Sequence, residues 1–192
     1  MKKSMKLNLG CGNKKLEGYV NVDLTEYCNP DLILNLENTP YPFKSNSVSE
    51  IRMKSVIEHL PIHPDGFFRI LKEIYRIAKN NCLLYIECPH PSHRWQIVDL
   101  THQKPIHYEG LEMLSKQYCK KLIQRGSTKS PLAIMYDVDF EIIKYKYTID
   151  PSAKQHITNV LGKFDDRLME SYIHLFNNIA ATQKFILKVI KD

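Results

Sequence analysis

A strand, a glycine turn and a second strand near the amino terminus constrain the fold more than any other feature of the chain. The apolar run at residues 6–9 leads into Gly10 and Gly12, and a second run at residues 19–23 ends with Asp23. Glycine has no Cβ, so the backbone can bend sharply here and approach a ligand closely. An acid at the end of the second strand can accept hydrogen bonds from two ribose hydroxyls. The pattern therefore predicts a pocket for a nucleoside-bearing cofactor.

Length and composition favour one soluble globular domain covering residues 1–192. The chain has 192 residues, of which 43% are hydrophobic, enough for a sizeable core. It contains no run of about 18 apolar residues, so no membrane span is expected. The basic amino terminus is followed by a strand pattern rather than by an apolar signal core, which predicts a cytoplasmic protein.

Cysteine usage predicts free thiols rather than a disulfide framework. The count of five is odd, and no two cysteines form a CxxC pair. The cysteine and histidines between residues 88 and 107 also lack the paired spacing of a structural zinc site. We therefore expect no metal ion.

Short apolar runs alternate with helical patterns, which predicts a mostly parallel sheet covered by helices. The predicted strands cover residues 6–9, 19–23, 31–35, 49–53, 82–87, 140–148 and 184–190. The predicted helices cover residues 64–79, 109–124, 152–161 and 165–181. Ligands of such sheets bind beyond the carboxyl ends of the strands. The two long segments inserted there, at about residues 89–139 and 150–183, are therefore predicted lids.

The first connection is unusually short for a parallel sheet. Only about ten residues separate the strand at 6–9 from the strand at 19–23, whereas a parallel crossover normally needs a dozen or more, usually with a helix. Because the motif residues on both sides are well formed, we predict a shortened crossover made of a helical turn and a loop.

Several motifs in the first half of the chain resemble one protein family. They are LNLGCG, GYVNVDL, DLILNLENTPYPFKSNSVSEI and SVIEHL. Their order is similar to that of small class I S-adenosylmethionine-dependent methyltransferases, in particular the subgroup called methyltransferase type 11 or 12-like. The resemblance covers about residues 6–90. It implies an α/β fold with a Rossmann-like, doubly wound sheet of seven mostly parallel strands, the last antiparallel, and helices on both faces.

The resemblance also implies which residues hold S-adenosylmethionine. The turn of Gly10, Cys11 and Gly12 would contact the amino-acid part of the cofactor, and Asp23 with Leu24 would contact its ribose. The remaining implied contacts are Asn35 and Leu36 beside the adenine, and Lys54, Ser55 and Val56 facing the reactive sulfonium.

Three segments depart from the family pattern, at Asn35, at Lys54 and at Asn80 with Asn81. The family often has an acid where Asn35 stands, although an asparagine amide can still donate to or accept from the adenine edge. Family members frequently carry a histidine where Lys54 stands, which argues against a general base at that position. Asn80 and Asn81 replace the Pro-Gly-Gly part of the family's turn.

Histidines past the fifth predicted strand are the candidate catalytic residues. His93 lies in a segment rich in histidine and proline, and Asp99 to His102 resembles a D-x-T-H segment of several family members. Either His93 or His102 could act as a general base near the acceptor, since histidine titrates near neutral pH. The alternative is that these residues cap turns or hold the lid.

The implied reaction is methyl transfer by in-line displacement, in which positioning supplies much of the catalysis. A base is needed only when the acceptor must lose a proton. The first hypothesis is a small-molecule or sugar-containing acceptor. The second is RNA or another nucleic acid, because the formal net charge is +6 and the helix around residues 116–125 is basic. The third is a non-catalytic, methyltransferase-like subunit that serves a partner.

Overall fold

The computed structural model describes residues 4–191, and its centre is a seven-stranded sheet. The strands are β1 (Met5–Leu9), β2 (Val20–Asp23), β3 (Leu32–Ile33), β4 (Val48–Lys54), β5 (Ala78–Pro89), β6 (Phe140–Ile149) and β7 (Ala180–Val189). Their order is β3-β2-β1-β4-β5-β7-β6, and β7 runs antiparallel to both of its neighbours. The pairs β1–β2, β1–β4, β2–β3 and β4–β5 are parallel. The predicted Rossmann-like sheet with an antiparallel last strand is confirmed.

Helices flank the sheet, and in the described part of the chain the α-helices all follow β4. They are α1 (Pro64–Ile77), α2 (Trp95–Val98), α3 (Tyr108–Glu112), α4 (Lys116–Gln124), α5 (Leu132–Met135), α6 (Pro151–Leu161) and α7 (Met169–Leu175). Helix α1 starts with Pro64. Proline lacks a backbone N–H, and the N–H groups of a first helical turn have no acceptor within the helix, so proline is well tolerated there. Its apolar stripe, with Ile70 and Ile74 fully buried, packs into the main core.

Buried asparagines hold the connection between β1 and β2 without a helix. The Asn21 side-chain oxygen accepts from the Leu16 N–H at 2.8 Å and from Asn8 Nδ2 at 3.0 Å. The Asn21 amide nitrogen donates to Asp31 Oδ2 at 2.9 Å. Asn8 and Asn21 are each only 5% exposed, so these bonds satisfy polar groups that water cannot reach. The predicted short crossover is confirmed, with turns in place of a helical turn.

The predicted helix at residues 109–124 is wrong in extent, because it forms two helices. Ser115 adopts extended backbone between α3 and α4. Its hydroxyl oxygen accepts from the Tyr118 N–H at 3.3 Å, which makes it the N-cap of α4. The apolar spacing of the segment is continuous and predicts one helix, whereas the Ser115 cap divides it.

The predicted helix at residues 165–181 is also wrong in extent. The segment forms the 3-10 turn Asp166–Leu168 and then α7, which ends at Leu175. Residues from Ala180 onward belong to β7, which starts four residues earlier than the predicted strand and pairs with β5 on one side and β6 on the other. Pairing with two strands outweighs the weak local preference for a helix.

The two faces of the sheet differ in character. On one face Leu9, Ile51 and Leu84 are fully buried under the helices. On the other face Arg52 and Lys184 have side chains that are 42% and 52% exposed. Ion pairs cross neighbouring strands on this second face, joining Lys6 to Glu50, Lys54 and Lys184 to Glu87, and Lys188 to Glu141. Within β4, Arg52 also pairs with Glu50.

The two inserted segments carry most of the helices. Residues 89–139 contain α2 to α5, and residues 150–183 contain α6, α7 and the start of β7. Their action as lids on one domain stays a prediction. Across residues 4–191, no helix combines the length and apolar character that crossing a bilayer demands.

Candidate functional site

The glycine turn after β1 is pinned to the end of β2. The Cys11 N–H donates to the Val22 carbonyl at 3.0 Å, and the Gly12 N–H donates to Asp23 Oδ2 at 2.8 Å. Gly10 has φ +64° and Gly12 has φ +49°, a region that L-residues with side chains rarely adopt. A Cβ at Gly10 would collide with Cγ2 of Val56, whereas one at Gly12 would meet nothing within 4 Å. The turn is therefore packed on its inner side, where Gly10 meets Val56, and open on its outer side, at Gly12.

We expect Gly10→Ala to destabilise the domain more than Gly18→Ala does. Both glycines have positive φ, which costs an alanine about 1–2 kcal/mol. Only at Gly10 does the added methyl also collide with Val56, and overpacking adds about 1–3 kcal/mol. Urea unfolding of both variants gives the difference in the free energy of unfolding. Equal losses would mean that Val56 yields to the methyl group.

Asp23 ends β2 with its carboxylate half-buried beside the glycine turn. Its Oδ2 accepts from Gly12, and its Oδ1 accepts from the Thr25 N–H at 3.2 Å. A carboxylate has about four lone-pair sites, so each oxygen keeps acceptor capacity for a ligand. Leu24 follows with a side chain that is 64% exposed.

Asn35 and Leu36 form a turn after β3. Asn35 Oδ1 accepts from the Glu37 N–H at 2.9 Å, and its carbonyl accepts from the Asn38 N–H at 2.9 Å. The Tyr41 hydroxyl donates to the Leu36 carbonyl at 2.8 Å, and the Leu36 side chain packs against the core. The Asn35 oxygen therefore serves the turn, which leaves its NH₂ group as the better contact for a ligand edge.

Lys54, Ser55 and Val56 follow β4 at the same edge of the sheet. Lys54 Nζ lies 2.9 Å from Glu87 Oε1, and the Ser55 N–H donates to the Glu87 carbonyl at 2.7 Å. Ser55 has φ +53°, an uncommon value for a residue with a side chain and one that often marks functional sites. Val56 is buried against Gly10, so the strand end and the glycine turn are in direct contact.

A cleft of about 840 Å³ opens beside the glycine turn and runs onto the charged face of the sheet. Of the predicted contacts, Gly10, Cys11, Gly12, Lys54 and Ser55 line it. The predicted residues outside its lining are Asp23, Leu24, Asn35, Leu36, Val56, His93 and His102. Asp23 lies at the rim of the cleft, because its carboxylate accepts a hydrogen bond from the N–H of Gly12, a lining residue.

The charge of this cleft is strongly positive. Its only acid is Glu87, which both Lys54 and Lys184 already neutralise. Its cations are Lys14, Arg52, Lys54, Lys144, Lys146 and Lys184. A second cleft, of about 880 Å³, lies at the amino edge of the sheet near Arg76 and Lys191. Ligands of parallel sheets bind at the carboxyl edge, which favours the first cleft.

His93 joins the two inserted segments. It is 1% exposed, and its Nε2 lies 3.0 Å from Oδ2 of Asp150, the N-cap of α6. The Trp95 N–H points at His93 Nδ1 at 3.2 Å, so Nδ1 accepts and Nε2–H donates to Asp150. Burial pushes the pKa of Asp150 up, but hydrogen bonds from His93 and the α6 amides outweigh it and lower the pKa. Both ring nitrogens are therefore occupied.

His102 lies beside the turn that follows β4. Its Nδ1 is 3.2 Å from the Gln96 carbonyl, and its ring meets that of His59 edge-on with centroids 4.6 Å apart. Glu58 is completely buried next to this pair. Burial raises the pKa of the Glu58 carboxyl, and nearby backbone N–H groups and His102 oppose the rise without reversing it.

No protein-family model and no curated protein matches this sequence. Solved structures do match its shape. A SAM-dependent methyltransferase from Archaeoglobus fulgidus aligns with a TM-score of 0.56 at 17% identity, covering 97% of this chain and 86% of that one. The cyclase SpnF gives 0.54 at 10% identity, with 98% and 76% covered. Geranyl diphosphate C-methyltransferase from Streptomyces coelicolor, solved with S-adenosyl-L-homocysteine, gives 0.51 at 14% identity, with 98% and 70% covered.

The fold is that of a class I methyltransferase. In this methyltransferase fold the glycine turn, Asp23 and the end of β4 lie together at the carboxyl edge, as their order along the chain indicates. His93 and His102 have different surroundings, because His93 is hydrogen-bonded to Asp150 whereas His102 faces the Gln96 carbonyl and packs on His59.

Sequence reasoning missed two groups of residues in the methyltransferase fold. One is the pair Asn8 and Asn21, whose role depends on burial in a loop that has no helix. The other is Glu58, which the sequence offers only as one acid in the run SVIEHL. An acid between apolar residues just after a strand was the available signal for Glu58.

Proposed function

We propose that this chain is an S-adenosylmethionine-dependent methyltransferase that acts on a small-molecule or sugar-containing acceptor. The observation that carries the proposal is the 2.8 Å hydrogen bond from the Gly12 N–H to Asp23. It brings a glycine turn with an open outer side next to a carboxylate that keeps free lone pairs, at the edge where parallel sheets bind ligands. A nucleoside with a ribose diol and an amino-acid tail matches both features.

The residues present fit such a cofactor. Gly10 lies so close to Val56 that any side chain there would displace the wall of the site, and the outer side of Gly12 is open. The Asp23 carboxylate is held by two backbone N–H groups, which fix its direction before a ligand arrives. When bound, S-adenosylmethionine supplies a methyl group on a positively charged sulfur.

Positioning is the main task of the protein in this reaction. With the cofactor bound, the reaction would be a displacement at the methyl carbon by the electron pair of the acceptor atom, and the pair of the carbon–sulfur bond would remain on sulfur. Such a displacement gains most from holding the two partners in line in a preformed cleft. We assign that role to the walls formed by Lys54, Ser55 and Val56.

An acceptor that loses a proton also needs a base. Because His93 is occupied on both ring nitrogens, we assign proton transfer to His102. Its Nδ1 faces the Gln96 carbonyl, which can only accept, so Nδ1 carries the proton and Nε2 is the free base.

The charge of the cleft favours an anionic acceptor. Six cations line it, of which Lys54 and Lys184 pair with Glu87 and Arg52 pairs with Glu50. The remaining cations of its lining are Lys14, Lys144 and Lys146. A phosphate or carboxylate on the acceptor would pair with these lysines. Among small and sugar-containing molecules, we therefore expect those with a negative charge to be methylated fastest.

Calorimetric titration with S-adenosylmethionine and S-adenosylhomocysteine tests the proposal. We expect both to bind with micromolar dissociation constants or tighter, and NAD to bind much more weakly, because the turn lacks the third glycine of dinucleotide sites and has Lys15 there. Transfer of labelled methyl groups to a panel of sugar phosphates, matched with their neutral sugars, then tests the acceptor class. If neither nucleoside binds, the proposal is wrong.

The charged face of the sheet, onto which the cleft opens, supports a second candidate, a nucleic-acid acceptor. The ion-paired sheet face places Tyr19 and Tyr85 among Lys6, Arg52 and Lys184, and Arg52 lies 4.4 Å from the Tyr85 ring centroid. Aromatic rings among cations can bind single strands. Affinity for a single-stranded RNA should then fall steeply with rising salt. Absence of binding at low salt removes this candidate and leaves the small acceptor.

A further inference from the structure

Three potential metal ligands meet beside the turn that follows β4. The 3-10 turn Ile57–His59 carries Glu58 and His59, and the loop after α2 brings His102 against them. One ligand atom from each of the three residues lies within 4.8 Å of the other two. One carboxylate oxygen and two imidazole nitrogens form a donor set that binds divalent transition metals.

Glu58 is the unusual member of this group. It is completely buried, and neither carboxylate oxygen has a hydrogen-bond partner of normal geometry in the described chain. Among the described residues, the ionisable groups that interact with its carboxylate are His102, Asp99 and Cys88, none of them a permanent cation. A buried carboxylate without a partner is costly, and a bound cation is one way to remove that cost.

Hydrogen bonds orient both histidines for metal binding. The Thr101 hydroxyl lies 2.6 Å from Asp99 Oδ1, which accepts its one proton, so it must accept from His59 Nδ1–H at 3.0 Å. His102 Nδ1–H donates to the Gln96 carbonyl at 3.2 Å. Both rings therefore carry their proton on Nδ1 and keep a lone pair on Nε2. An oriented imidazole with its other nitrogen bonded outward is the usual arrangement of a metal ligand.

We propose that Glu58, His59 and His102 bind one divalent transition-metal ion of the zinc type. Three protein ligands leave at least one coordination position for an exogenous ligand, as in catalytic zinc sites. Asp99 Oδ2, which lies 3.7 Å from His102 Nε2, adds negative charge at the rim.

The site is two residues from Val56, which forms the wall against the glycine turn. On the proposed function, an acceptor oxygen that coordinates the ion loses its proton more readily, because a bound cation stabilises the anion. With the ion bound, His102 is a ligand and no longer acts as the base of the proposed function, so the proton leaves to solvent. This role depends on methyl transfer, whereas binding of the ion does not.

Binding of Zn²⁺ and Co²⁺ to the metal-free protein tests the proposal directly. Chelator-treated chain is dialysed against each ion, the bound metal is counted, and Co²⁺ coordination is followed by its visible absorption. We expect about one ion per chain for the original protein. His156→Ala is the matched control, since His156 is exposed on α6 and remote from the cluster in sequence. It should bind the same amount.

Three variants then identify the ligands. Glu58→Gln and His102→Ala should each weaken binding by about 100-fold or more, because a direct ligand is lost. Thr101→Val should weaken it by about tenfold, because it removes only the group that orients His59. Circular dichroism checks the fold of each variant, and the exposed position of Thr101 makes it the safest of the three.

The outcomes are separable from those of the proposed function. The metal site is overturned if the original protein binds no stoichiometric ion. It is also overturned if the folded variants Thr101→Val and His102→Ala both bind the ion as tightly as the original protein does. S-adenosylhomocysteine titrated into the same metal-free sample reports on the cofactor site alone. If the protein binds the nucleoside but no ion, only this inference is rejected. If it binds the ion but not the nucleoside, only the proposed function is rejected.

Discussion

Replacing Asp23 with alanine should weaken binding of S-adenosylhomocysteine by about 100-fold or more. Hydrogen bonds to a charged group contribute about 1.5–3 kcal/mol each, and the proposed ribose contact uses two of them. Two such bonds correspond to a factor of about 100 to 10,000 in the dissociation constant. Calorimetric titration of the folded variant measures this loss. An unchanged dissociation constant would contradict the assignment of Asp23 to the ribose.

Asp23 also holds the glycine turn, so the ribose effect needs its own control. Asp23→Asn keeps one side-chain oxygen for the Gly12 N–H and removes the charge. We expect a smaller loss than in Asp23→Ala, of about tenfold. A 2′-deoxy analogue completes the comparison. The original protein should distinguish it from the parent nucleoside, and Asp23→Ala should not, because the partner of the missing hydroxyl is already gone.

Asn21→Ala should lower the free energy of unfolding by about 3 kcal/mol. The change removes the acceptor of the Leu16 N–H and one acceptor of the buried Asn8 amide, and unsatisfied buried groups cost about 1–3 kcal/mol each. The same loop carries the glycine turn, so cofactor affinity should fall as well. Urea unfolding monitored by circular dichroism gives the first quantity, and calorimetry gives the second.

Asn13→Ala is the matched control for Asn21. It lies in the same loop, is exposed, and has the same side chain to lose. Exposed substitutions away from special features change stability by about 0.5 kcal/mol or less. If Asn13→Ala and Asn21→Ala lose similar stability, the buried amide network is not what replaces the missing helix.

The sheet could be predicted because its strands carry their own signals. Apolar runs bounded by turn residues identified β1, β2, β4 and β5, and an acid and two glycines identified the edge where ligands bind. The helices were harder. Ser115 interrupts an apolar pattern that otherwise reads as continuous, and the start of β7 depends on pairing with strands more than thirty residues away in the chain.

The candidate site was predictable where the chain itself brings residues together. Gly12 and Asp23 flank one short crossover, so their contact follows from its length. His93 and His102 lie in a long insertion, and nothing in the spacing of the two histidines reveals that one bonds Asp150 and the other packs on His59. Burial of Glu58 without a partner is a property of the packed structure, and an isolated acid in a sequence does not display it.

The contrast between the buried face and the exposed face of the sheet affects how such proteins diverge. Inward positions such as Ile51 and Met53 are fixed by packing, whereas the alternate positions Arg52 and Lys54 carry side chains that are 42% and 53% exposed. Substitutions at solvent-facing sites usually change stability by about 0.5 kcal/mol or less. The exposed positions of this face are therefore less constrained than the inward ones, whereas the buried Asn8 on the same face is not. Descendants of this chain could exchange one acceptor for another by altering the exposed positions alone.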